Sequence, residues 1–216
     1  MPQDAQLQRE VVAELNWEPS VTAAHIGVVA NAGIITLSGH VESYSEKYAA
    51  EQATYRVKGV LGVAEEIQVQ LPFERQRGDE DIATAAIERL SWDTFVPPDA
   101  VKVKVEDGYV TLTGEVNLRY QKDAAEEDVR RLFGVIGISN QITVTPRTNI
   151  ANIKSDIMHA LHRSWFSDPK KIIVSAEGGE VRLTGNVHTP QDKLMAATMA
   201  WSAPGVTNVA NDIKIT

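Results

Sequence analysis

Three residues in the last third of the chain, Asp156, His159 and His162, carry the types and spacing of a metal site. Ligands three or four residues apart can share one face of a helix. Ile153, Ile157 and Leu161 recur there with a period of four and claim the core-facing side, which leaves the trio on the solvated side. No metal is expected. A second constellation is Arg163, Trp165, Phe166, Lys170 and Lys171, where two aromatics lie among three cations. Aromatic and basic residues together suit the headgroup layer of an anionic phospholipid membrane. Related tryptophans stand at Trp17 and Trp92, each just after a helical period. Recurrence at one place in two copies, with a large apolar body, predicts a plug between helix and sheet.

Gly59-x-x-Gly62 and Gly134-x-x-Gly137 have the spacing of a backbone-clamping nucleic-acid loop, but that loop joins two helices and these precede a strand. Charge points the same way. Of the net −8, residues 1–71 carry 9 acids and 4 bases (9 − 4, or −5), residues 72–146 carry 14 and 9 (−5), and residues 147–216 carry 6 and 8 (+2). Polyanion affinity comes mainly from Lys and Arg, so nucleic acid is not an expected partner, and any contact with anionic lipid falls to the last third. The absence of cysteine removes disulfides, thiolate metal sites and lipid-attachment cysteines. No apolar run approaches membrane-spanning length, and the first residues lack the pattern of a secretory signal. The expected location is cytoplasmic and peripheral to a membrane, or periplasmic if an export signal once preceded the chain.

What positions these residues is a unit repeated three times. Leu37-Ser38-Gly39, Leu112-Thr113-Gly114 and Leu183-Thr184-Gly185 recur at offsets of 75 and 71 residues, with Gly33, Gly108 and Gly179 before them and Gly59, Gly134 and Gly205 after. Each unit opens with a helical period: Leu7, Val11, Leu15; Ile82, Ala86, Leu90; Ile153, Ile157, Leu161. Asp4, Asp79 and Asn149 stand where helix caps are expected. A β-branched run follows at 26–30, 101–105 and 172–176, then a glycine turn and a strand ending at the signature glycine, so the two strands pair as a hairpin. A second helix, with Ala50, Ala125 or Ala196 allowing close approach, begins at capping-box patterns Ser43-x-x-Glu46 and Thr189-x-x-Asp192. The last strand, at 63–71, 138–144 and 209–215, is reached by a helical crossover and is expected parallel.

The fold expected is α+β: three tandem α-β-β-α-β units, each a small mixed three-stranded sheet packed against two helices, over 1–71, 79–146 and 149–216. Units this small are marginal alone and should lean on one another. The second helix of the last unit, apolar at Leu194, Met195, Met199 and Trp201, is expected to pack within the protein. Gly39, Gly114, Gly185, Gly59, Gly134 and Gly205 are read as structural, since a glycine inside a strand marks a bulge or a close backbone approach.

The element order, the Leu-Ser/Thr-Gly strand and the late Gly59-Val60, Gly134-Val135 and Gly205-Val206 motifs resemble the BON domain, a bacterial module, over nearly the whole chain. The resemblance implies a stress-related, non-enzymatic module associated with phospholipid or membranes, with no catalytic residue and no cofactor to carry over. Together these point to a binding module docking on an anionic phospholipid surface or a membrane-associated protein, chiefly through Arg163, Trp165, Phe166, Lys170 and Lys171. The alternative is a soluble scaffold whose repeats bind proteins or self-associate.

Overall fold

The computed structural model describes residues 2–145, 152–163 and 171–215. Unit 1 runs α1 (Pro2–Trp17), β1 (Ile26–Asn31), β2 (Ile34–Val41), α2 (Tyr44–Arg56) and β3 (Gly62–Val69). Unit 2 repeats it as α3 (Asp79–Trp92), β4 (Val101–Glu106), β5 (Tyr109–Val116), α4 (Arg119–Arg130) and a divided last strand, β6 (Gly137–Asn140) and β7 (Thr143–Val144). Unit 3 comprises α5 (Ile153–Arg163), β8 (Ile172–Glu177), β9 (Glu180–Val187), α6 (Pro190–Trp201) and β10 (Asn208–Ile215). In each sheet the signature strand lies in the middle, antiparallel to the strand before it and parallel to the one after the crossover helix: Leu37 faces Val28 on one side and Glu65 on the other. Unit 2 departs from the single strand expected over 138–144, pairing with β5 on either side of Gln141 and Ile142.

Each unit buries its own core. Leu7, Val11 and Leu15 pack on Ile35, Leu37 and Ile67 in unit 1, and the equivalent residues do so in the other two. Ser43 and Thr189 cap α2 and α6, their hydroxyls accepting from the N–H of Glu46 and Asp192 at 3.1 and 3.0 Å. Asp4 and Asp79 are not the caps expected of them. Both lie inside their helices, and their carboxylates reach the hairpin: Asp4 accepts from Ala32 N–H at 2.9 Å, Asp79 from Asp107 and Gly108 N–H at 2.8 and 2.9 Å. The reason is competition for an acceptor, since a hairpin tip with positive φ at Ala32 and Asp107 leaves its own N–H groups without ladder partners. Asn149 lies outside the described residues.

The signature glycines hold φ of 114°, 137° and 130° at Gly39, Gly114 and Gly185. An added Cβ would collide with the carbonyl oxygen of His25, Ala100 or Lys171, just ahead of the first strand. Two backbones cross there with no room for a side chain. Gly59, Gly134 and Gly205, with φ near 90°, turn the chain out of the second helix. Their carbonyls lie against the hairpin glycine, and the residues that follow close the turn: Leu61, Ile136 and Thr207 donate to the carbonyls of Gly33, Gly108 and Gly179 at 2.7, 3.0 and 2.8 Å.

The second helices of the three units meet. Tyr44 of α2 packs against the core of unit 2, Ser45 Oγ donates to the Arg130 carbonyl at 2.9 Å, and the Arg130 guanidinium lies 3.6 Å from the centre of the Tyr48 ring. Arg119 of α4 lies 4.8 Å from the centre of the Trp201 ring on α6. The helices α2 and α6 also pack on each other. Of the thirteen residues of α2 only Arg56 is exposed, so unit 1 supplies the central helix of the assembly.

Candidate docking surface

Trp17 and Trp92 are 82% and 85% exposed, which overturns the reading of both as plugs. The cause is helical geometry. Leu15 and Leu90 are the last core positions of α1 and α3, and a residue two places on is turned about 200° around the axis, away from the sheet. The leucines fill the space between helix and sheet, and the indoles stand in solvent.

The same end of unit 3 carries Arg163, exposed at the last position of α5 and equivalent by the repeat offset to Trp17 and Trp92, and Lys171, exposed just before β8. Trp165, Phe166 and Lys170 lie outside the described residues. In unit 1 helix α1 contacts the short turn Ala23–His25, whose last carbonyl overlies Gly39.

The surroundings differ between units. In unit 1 Arg56 bridges α2 to α1, with Nε 2.7 Å from Glu14 and the terminal nitrogen 2.8 Å from Glu18, so Trp17 stands beside an ion cluster of two carboxylates and one cation. Hydrogen bonds from Ser20 and Arg56 hold the Glu18 carboxyl below its ordinary value. In unit 2 the exposed Phe95 meets the Tyr120 ring edge-on at 5.7 Å, beside a cleft of about 480 Å³ bounded by Ile87, Trp92, Val96 and Pro97. Asp93 and Asp99 also line that cleft. Beneath it Arg89 donates to Asp128 at 2.9 Å; burial pushes the Asp128 carboxyl up, Arg89 pulls it down, and neighbouring Asp93 pushes it up. The Phe95–Tyr120 pair escapes a reading of the sequence, since its members are 25 residues apart and Tyr120 has no aromatic counterpart in the other units, although Phe95 recurs as Phe166.

His159, His162 and Asp156 are exposed along α5. Among the described residues no three His, Asp or Glu side chains lie close enough to hold a metal ion, and no helix is long and apolar enough to cross a membrane. Gly59-x-x-Gly62 and Gly134-x-x-Gly137 run from the turn after the second helix into the first residue of the last strand.

The family model described as "BON domain" matches residues 3–70, 78–146 and 149–216. The chain is similar to "Osmotically-inducible protein Y" of Escherichia coli (strain K12), 29% identical over 143 residues that cover 64% of this chain and 71% of that protein. Among solved structures it matches CdsD, a structural protein of the type III secretion system of Chlamydia trachomatis, at 16% identity and a TM-score of 0.26, over 98% of this chain and 92% of the other. The C-terminal domain of CdsD matches at the same identity and TM-score, over 97% of each chain.

Proposed function

We propose a function on one premise: the chain belongs to the BON domain family in all three of its repeats. It is a non-catalytic, stress-related binding module that docks peripherally on an anionic phospholipid surface through the ends of its first helices, chiefly that of unit 3. The stress-related role is supported by similarity to a protein named as osmotically inducible. The observation that carries the docking reading is the exposure of Trp17 and Trp92 at equivalent positions, where unit 3 has the exposed Arg163, with Lys171 exposed just before β8.

The energies are consistent with weak binding. Half-burying an indole removes about 100 Å² from water, worth on the order of 2 kcal/mol, and each cation near an anionic surface adds about 1 kcal/mol. The net charge of −8, concentrated in units 1 and 2, opposes both. Docking is thus expected only at low to moderate salt and oriented with unit 3 toward the lipid. Trp165, Phe166 and Lys170 bring further apolar area and charge to the same stretch of sequence.

A second reading applies to unit 2, where Trp92, Phe95 and Tyr120 are exposed beside Asp93 and Asp99. Acidic residues around exposed rings suit a basic protein segment better than an anionic lipid. Sedimentation of the full chain with vesicles containing phosphatidylglycerol, against vesicles of phosphatidylcholine alone, separates the two. Preferential sedimentation with the anionic vesicles, weakened by salt and by Lys171→Glu, supports docking on lipid. Equal failure to bind either vesicle leaves the protein-binding reading of unit 2.

A further inference from the structure

In units 2 and 3 one position in the last strand ties that strand to the second helix. In unit 2 it is Asn140: Oδ1 accepts from Ile142 N–H at 3.3 Å while Nδ2 donates to the Lys122 carbonyl at 3.0 Å. Asn211 does the same in unit 3, accepting from Ile213 N–H at 3.4 Å and donating to the Lys193 carbonyl at 2.8 Å. Both amides act as acceptor and donor at once, which a carboxamide can do and a carboxylate cannot.

Unit 1 has Glu65 at this position. Its Oε1 accepts from Ile67 N–H at 2.9 Å, the bond that Ile142 and Ile213 give to the asparagines. Its Oε2 is buried and makes no hydrogen bond. The equivalent atoms in the other units donate to the carbonyl of a lysine whose counterpart here is Lys47. A neutral carboxylic acid has the one hydrogen this place requires.

We propose that Glu65 is carried in the folded protein as the neutral acid, its proton donated to the Lys47 carbonyl in place of the asparagine amide, so that closure of β3 on α2 in unit 1 depends on pH. The charged and titratable groups around it are Lys47, Glu51 and Tyr55, all on α2; on the neighbouring strand β2 the paired residue is Leu37. Lys47 forms no ion pair with it; its Nζ donates to the Ile67 carbonyl at 2.6 Å. Burial pushes the Glu65 carboxyl up against the pull of Ile67 N–H and of Lys47, and Glu51 pushes it further. Glu51 is itself pushed up by burial, with Lys47 opposing. The site thus gathers two carboxyls against one cation, where units 2 and 3 hold an asparagine.

A carboxyl whose folded value lies above its unfolded one takes up a proton on folding. Its contribution is fully present below the ordinary glutamate range and is lost as pH rises through the folded value. Since α2 is the helix on which all three units meet, the loss is expected to loosen unit 1 where units 2 and 3 pack on it.

The test is the pH titration of glutamate carboxyl carbons by NMR on the full chain, with the Glu65 resonance assigned by its disappearance in Glu65→Gln. The expected midpoint lies above those of the exposed glutamates. Thermal melts add a second measurement: Glu65→Asn, which restores the residue of units 2 and 3, should melt above the parent near pH 8, with the gap narrowing toward about pH 5. A Glu65 midpoint within the range of exposed glutamates, or a gap that does not change with pH, overturns the proposal.

Discussion

Two regions of every unit behave differently under repetition. The strand crossing at Gly39, Gly114 and Gly185 is the same three times, with φ between 114° and 137° and a carbonyl lying where a Cβ would go. The end of the first helix carries tryptophan in units 1 and 2, Trp17 and Trp92, and a cation, Arg163, in unit 3. A backbone constraint admits one solution, so the residue recurs; an exposed helix end is under no packing demand, so its residue is free to answer to a partner. What recurs here is architecture, and what varies is where binding chemistry is to be sought.

Replacing Gly114 by Val puts a β-branched side chain into the crossing. It should destabilise unit 2 by at least about 3 kcal/mol, combining strain at positive φ with a backbone clash. Denaturant unfolding reads this directly, and a loss below about 1 kcal/mol would mean that the crossing tolerates a side chain and that the comparison is misplaced. Arg130→Ala is milder. It removes the guanidinium from the Tyr48 ring and should cost about 1–2 kcal/mol, seen as separation of the melting of unit 1 from that of unit 2. The tryptophans mark the other side of the comparison. Trp17→Ala and Trp92→Ala should each shift unfolding by less than about 0.5 kcal/mol, because both indoles are already in solvent.

Much of this was legible in the residue pattern, and for identifiable reasons. Recurrent spacing locates the hairpins, crossover helices and parallel last strands, because glycine at positive φ and apolar residues four apart are local requirements. The exposure of Trp17 and Trp92 follows from their angle to Leu15 and Leu90, a helical rotation that recurrence alone obscures. Asp4 and Asp79 were misread because a carboxylate in a first turn can serve a neighbouring hairpin as readily as its own helix. The contacts Tyr48–Arg130 and Arg119–Trp201 each span 82 residues, a separation set by how neighbouring units pack and not by the repeat itself. Glu65 gains meaning only when strand register sets it beside Asn140 and Asn211.

The docking account is tested most directly by sedimenting the full chain with phosphatidylglycerol vesicles at low salt, comparing the parent with a variant carrying Trp17→Ala, Trp92→Ala and Lys171→Glu. Because all three positions are exposed, the variant should fold and melt as the parent does. The account predicts that the parent binds, that salt weakens it, and that the variant loses at least about tenfold in affinity, the equivalent of about 1.4 kcal/mol. A parent that ignores anionic vesicles at low salt, or a variant that binds them equally well, would contradict it.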